Sequence, residues 1–251
     1  MPRLDEVNRE PAERLYRGLA RGVHGVMNVI AKRDWRHAEK IPQTGGLLFV
    51  ANHISNADPI ALGEFIIYSG RWPRMIAKID LFRYPVIGPF ARGCGQIPVD
   101  RTSTNAADVL KAAEDAIAGG LAVLIYPEGT ITGDPLGWPM VPRTGAARLA
   151  LATRCPVVPI GQWGANEIMP GRTVTRPHFF PRKTMTMLVG DPIDLSDLYS
   201  DEPSRHDVQV ASERIMDVIT DLVAEIRQET PPETRWDHRI LARVPKGVRG
   251  V

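Results

Sequence analysis

Apolar and polar positions follow two different periods along this chain. Between residues 14 and 32, Leu15, Leu19, Val23, Val26 and Ile30 recur at helical spacing while Arg14, Arg17, Arg21 and Lys32 fall opposite. This predicts an amphipathic helix, weakened by Gly18, Gly22 and Gly25. Such a stripe either packs on its own domain or lies in a bilayer interface; Trp35 and the basic residues near it favour the interface. From residue 46 the period changes. Short apolar runs at 46–51, 74–78, 95–99, 121–126 and 155–160 predict buried strands, and 183–189 alternates as a half-buried strand. Helical segments are expected at 59–68, 104–118, 144–153 and 204–227, the second opened by Ser/Thr capping chemistry and closed by Gly119 and Gly120. Strands separated by helices predict an α/β sheet with helices on its faces, the long 204–227 helix among them. After Thr230, Pro231 and Pro232 begin a polar tail with Arg235, Arg239, Arg243, Lys246 and Arg249, expected to be a flexible extension.

Composition narrows the classes. A hydrophobic content of 43% with 24% charged residues is that of a packed globular chain, and a net charge of +2 is too small for a general nucleic-acid binder. The charge is uneven: Arg14, Arg17, Arg21, Lys32, Arg33, Arg36 and Lys40 face only Asp34 and Glu39, a local positive surface suited to anionic lipids. No apolar stretch reaches the roughly 18 residues a spanning helix needs. Membrane contact is therefore expected to be peripheral or monotopic, at the cytoplasmic face. Cys94 and Cys155 have no metal-ligand spacing and form no disulfide framework, so neither a metal nor a bound cofactor is expected, and a reducing compartment fits.

Four segments carry candidate chemistry, each at the end of an apolar run, where sites form in α/β sheets. In Asn52-His53-Ile54-Ser55-Asn56-Ala57-Asp58-Pro59, a bend can return Asp58 to the Nδ1 side of His53, leaving Nε2 to take a proton. Asp58 before Pro59 is equally an ordinary helix N-cap. In Gly93-Cys94-Gly95-Gln96-Ile97-Pro98-Val99-Asp100-Arg101, the planar fork of Arg101 suits a phosphate, or else forms a surface pair with Asp100; Lys78, at its own strand end, adds charge to the same mouth. In Tyr126-Pro127-Glu128-Gly129-Thr130, Glu128 can accept hydrogen bonds from a polyol, and Gly129 permits close backbone approach. Val157-Val158-Pro159-Ile160-Gly161 is a buried strand whose Val158 and Pro159 can line a lipid slot.

Together these segments resemble the four sequence blocks of the glycerolipid acyltransferases, the lysophosphatidic acid acyltransferase family: an NHxxxxD block, a block ending in DR, a PEGT block and a VP-I/V block, in that order. The resemblance covers roughly residues 40–190. It implies a mixed, largely parallel sheet flanked by helices and preceded by a membrane-binding helical segment, with an amphipathic segment over 1–40, the acyltransferase domain over 41–228 and a basic tail over 229–251. It also implies transfer of a fatty acyl group from an acyl-CoA or acyl carrier protein thioester to 1-acylglycerol 3-phosphate, giving phosphatidic acid. His53 is then the base, oriented by Asp58, and Arg101, Lys78, Arg143, Glu128, Gly129 and Thr130 hold the acceptor. Backbone N–H groups around Gly95 to Ile97 are the candidate oxyanion donors. Many members carry Arg directly after EGT where this chain has Ile131; Arg143 is the expected substitute. Glycerol 3-phosphate or another lysolipid as acceptor, a thioesterase, and a lipid carrier without chemistry are the alternatives.

Overall fold

The computed structural model describes residues 3–85, 87–99, 106–173 and 176–247. In chain order the elements are α1 (Leu4–Val7), α2 (Arg14–Ile30), β1 (Ala31–Arg36), β2 (Leu47–Ala51), α3 (Asp58–Tyr68), β3 (Pro73–Lys78), α4 (Ile79–Arg83), α5 (Ile87–Gly93), β4 (Ile97–Val99), α6 (Ala106–Ala118) and β5 (Ala122–Ile125). They continue with α7 (Gly145–Thr153), β6 (Val157–Trp163), α8 (Ala165–Ile168), β7 (Lys183–Val189), α9 (Arg205–Arg227), β8 (Thr234–Asp237) and β9 (Ala242–Pro245). Seven strands form one sheet in the order β1-β7-β6-β2-β5-β3-β4. From β6 to β4 every pair is parallel; β7 runs antiparallel to β6, and β1 parallel to β7. The mixed, largely parallel sheet expected from the sequence is the one present.

Strand β2 shows why the sheet is central. All five of its residues are buried, and its pleat sends them alternately to the two faces. Leu47, Phe49 and Ala51 join Leu62, Phe65 and Ile66 of α3 and Met27 of α2, while Leu48 and Val50 join Leu149 of α7 and Ile215, Met216 and Ile219 of α9. Apolar side chains on both faces draw helices onto both. Helix α9 begins with a capping box in which Ser204 and Asp207 accept each other's backbone N–H.

Three expectations change. First, residues 3–40 are not separate from the sheet. The helix ends at Ile30, and 31–36 is the edge strand β1, whose Ala31–Arg36 lie opposite Lys183–Leu188. The buried carboxylate of Glu64 on α3 joins these parts, with His24 Nδ1 at 2.7 Å and Arg33 Nη2 at 2.5 Å from its Oε1. Second, β7 is buried from Met185 onward rather than half-buried, because β1 and β6 flank it and α9 packs on its second face. Third, residues 229–247 are not a loose tail. They hold the β8–β9 hairpin, fixed by buried Arg235 on Glu213 and Asp217 of α9, by Arg243 on Asp134, and by the Val141 N–H donating to Trp236 O.

Candidate active site

The parallel strands place their C-terminal ends together, and the chain leaving β2 enters the site at once. Asn52 is fully buried and exchanges hydrogen bonds with Gln162 of β6: its Nδ2 donates to Gln162 O (3.0 Å), its Oδ1 accepts from Gln162 N (2.9 Å), and its own carbonyl accepts from Gln162 Nε2 (2.6 Å). This clamp fixes where His53 emerges. The chain then bends so that Asp58 Oδ2 receives three donors: His53 Nδ1 at 2.7 Å, Ile54 N at 2.6 Å and Ser55 N at 2.8 Å. The Asp58 carboxylate thus turns back onto the loop and makes no cap bond to its own helix, so the N-cap alternative does not hold. Burial pushes the Asp58 carboxyl up, and His53 with the two N–H groups opposes it.

The His53 side chain is about one-sixth exposed, and its Nε2 has no hydrogen-bond partner among the described residues. Its ring stacks on Tyr126 with centroids 4.1 Å apart and planes 14° from parallel. Burial raises the Tyr126 hydroxyl well above the ordinary phenol range, so it stays a neutral donor. That hydroxyl lies beside Asp58 and Gln162, and Tyr126 Oη, Asp58 Oδ1 and Gln162 Oε1 are all buried without a completed hydrogen bond. The imidazole is held from three sides: Asp58 fixes its tautomer, Tyr126 its plane, and Asn52 its backbone.

Glu128 differs from expectation. It is buried, and both carboxylate oxygens are occupied by backbone donors, Oε1 by His53 N (2.8 Å) and Oε2 by Met140 N (3.0 Å). It braces the backbone of the site, and its burial keeps it from a polyol. Burial pushes its carboxyl up to about 8, against the pull of those N–H groups. Gly129 has φ +70°, and the side chain of Arg143 lies where its Cβ would stand, so the close approach it permits is that of Arg143. Thr130 Oγ1 accepts from Arg172 Nη2 at 3.3 Å. The Arg143 side chain thus lies against the PEGT turn, whereas Ile131 is buried.

The remaining candidates divide. Lys78 closes β3 at the same end of the sheet as His53, opposite Val99 of β4. Asp100 and Arg101 lie outside the described residues. Gly95 and Ile97 are displaced from the site sideways, because β4 is the edge strand of the sheet and β5 and β3 stand between it and β2. There the Gly95 and Gln96 N–H groups are spent on Arg92 O (3.0 Å) and Ala91 O (2.9 Å) at the end of α5, and Ile97 is a core residue. They are not oxyanion donors. Val158 and Pro159 lie buried within the strand, Val158 within the core under α3 and Pro159 against Gly190, so they line no lipid slot. Sequence reasoning missed Tyr126, although it adjoins the PEGT turn, and it missed Arg172, which has no motif to mark it.

The acyltransferase family model matches residues 32–163, more than half of the chain. The chain belongs to the acyltransferase family. A chloroplastic 1-acyl-sn-glycerol-3-phosphate acyltransferase of Brassica napus is 32% identical over 141 residues, covering 55% of this chain and 39% of that protein. A 1-acyl-sn-glycerol-3-phosphate acyltransferase of Streptococcus pneumoniae is 23% identical over 167 residues, 65% of this chain and 56% of that protein. The chain thus spans well under two thirds of these relatives' length. In fold, this acyltransferase-family chain is similar to the 1-acyl-sn-glycerophosphate acyltransferase PlsC of Thermotoga maritima, with a TM-score of 0.65 and 19% identity over 86% of this chain and 81% of that one.

Proposed function

We propose that the chain transfers a fatty acyl group from a coenzyme A or acyl carrier protein thioester to the free hydroxyl of 1-acylglycerol 3-phosphate, forming phosphatidic acid. The observation that carries this is the His53–Asp58 pair, with Nδ1 held at 2.7 Å and Nε2 unengaged at the mouth. Nε2 takes the hydroxyl proton as the oxygen attacks the thioester carbonyl carbon, the C–S bond breaks, and the imidazolium returns the proton to the departing thiolate. Neither cysteine is needed as a nucleophile: Cys94 is buried beside Arg74 at the far end of the sheet, and burial raises its thiol. Arg143, with Lys78 and Arg101 on the strength of the sequence resemblance, supplies positive charge for the acceptor.

A bilayer supplies both lipid substrates, and α2 has a surface suited to it. Tyr16, Ala20 and Met27 face inward, while Leu15, Leu19, Val26 and Val29 form an adjacent exposed ridge, and α5, touched by Leu15 at Gly93, exposes Phe90. Among the described residues no helix is long and apolar enough to cross a membrane. The function is tested by incubating purified protein with palmitoyl and oleoyl thioesters of both carriers and a panel of acceptors. Phosphatidic acid as the dominant product is expected; hydrolysis of the thioester without transfer would assign a thioesterase instead.

A further inference from the structure

Beside the His53 turn lies a group of nitrogen donors that the chemistry described so far does not use. The loop carrying Arg172 is tied to that turn: Ser55 Oγ donates to Met169 O at 2.8 Å, and Asn56 Nδ2 donates to Arg172 O at 3.3 Å. The exposed guanidinium reaches Thr130 Oγ1 with one nitrogen and meets the imidazole of His238 with both, Nη1 lying 3.1 Å from Nδ1 and Nη2 3.2 Å from Nε2. A neutral imidazole has one acceptor nitrogen and an imidazolium none. At least one of these two contacts therefore sets donor against donor, and guanidinium N–H groups remain for another acceptor.

A third donor joins them. Trp236 Nε1 is buried and has no hydrogen-bond partner among the described residues, although a buried indole N–H normally finds one. It lies beside the other two around Gly133: a Cβ placed on that glycine would lie 3.2 Å from Trp236 Nε1, 3.4 Å from His238 Nδ1 and 3.7 Å from Arg172 Nη1. The neighbouring carboxylates are turned to other partners, Asp134 to Arg243 and Asp237 to Arg239. More donors than acceptors, with no carboxylate paired to them, are the chemistry of an oxyanion site, and a planar guanidinium suits a phosphate. Thr132 N donates to His53 O at 2.7 Å, so the cluster sits one residue away from a backbone contact with the base.

We infer that Arg172, His238 and Trp236, the last two delivered by the β8–β9 hairpin, form the subsite that receives the phosphate monoester of the acceptor. The inference rests on the proposed acyl transfer for its ligand and on this chain's own geometry for its residues. Phosphate could also come from the nucleotide part of coenzyme A, so the test separates the two. Acceptor and donor KM are measured for Arg172→Ala and Trp236→Phe with lysophosphatidate, with neutral monoacylglycerol, and with acyl-CoA against an acyl-pantetheine thioester that lacks the nucleotide. For Arg172→Ala, the lysophosphatidate KM should rise about tenfold or more, as expected for a lost charged hydrogen bond, with the donor KM and the monoacylglycerol rate unchanged. Trp236→Phe should raise the same KM by a smaller factor; an indole that only packs would lower Tm or raise the monoacylglycerol KM equally, with no effect specific to the phosphorylated acceptor. A rise confined to the acyl-CoA KM, or no rise in any, overturns the inference. Calorimetric binding of glycerol 3-phosphate stands apart from turnover: wild type binding about tenfold more tightly than Arg172→Ala supports the subsite even if acyl transfer fails, and equal binding refutes it.

Discussion

Asp58 Oδ2 gathers three donors while Oδ1, also buried, has none among the described residues. That asymmetry separates the structural from the catalytic part of the residue. In Asp58→Asn the carbonyl oxygen can keep all three donors and the amide can occupy the partnerless side, so folding should be little affected. The negative charge that stabilises an imidazolium is gone, however, and kcat should fall by about 100-fold or more. Steady-state rates and thermal unfolding of the one variant check both halves, and a drop in Tm with normal turnover would reduce Asp58 to a loop brace. Glu128 makes a pH-dependent prediction. Its carboxyl, held at about 8 against the ordinary 4.5, stabilises the fold fully below the ordinary value, and that contribution is lost as pH rises through about 8. Glu128→Gln does not titrate and exchanges one acceptor for a donor facing an N–H. The Tm gap between wild type and variant should therefore be wide near about pH 5 and narrow by about pH 9; a gap that widens with pH would contradict the assignment.

Helix α2 divides its apolar sector between the protein and the outside. Its inner edge packs through Tyr16, Ala20 and Met27, and Tyr16 Oη donates to Pro73 O at 2.8 Å, so the helix belongs to the fold; its outer edge is the exposed ridge. Arg17 and Arg21 on the polar side both pair with Asp5, which weakens the case for that face as the membrane contact. Replacing Leu15, Leu19, Val26 and Val29 by Gln should leave Tm near wild type and slow acylation of vesicle-embedded acceptor far more than of a short-chain soluble one. Equal losses would place the ridge in the fold rather than at a bilayer. The elements that were legible in sequence were those with an apolar signature, such as Leu47–Ala51, whose every residue is buried. Strand β1, Ala-Lys-Arg-Asp-Trp-Arg, was not, because it is an edge strand with only Ala31 buried. The hairpin was missed for a related reason: Arg235 reads as a solvated charge until Glu213 and Asp217 of α9 are brought to it.

At the scale of the whole molecule, the topology does what no single segment can. The parallel run from β6 to β4 brings the exits of β2, β5 and β6 together, so His53, Tyr126 and Gln162 meet although more than a hundred residues separate the first from the last. The base and its partner were legible because six consecutive residues, His53 to Asp58, hold both. The brace and the anion subsite were not. Glu128 acts on backbone N–H groups from two other segments, and Arg172 and His238 stand 66 residues apart in polar stretches without periodicity. The same topology excluded Gly95 and Ile97, since β4 is the edge strand and β5 and β3 stand between it and β2. The most direct test of the central claim is the rate of phosphatidic acid formation by His53→Ala, measured beside its Tm. Loss of about 100-fold to 10,000-fold in kcat with the fold intact is the predicted result, and near-normal turnover by a folded His53→Ala protein would contradict it.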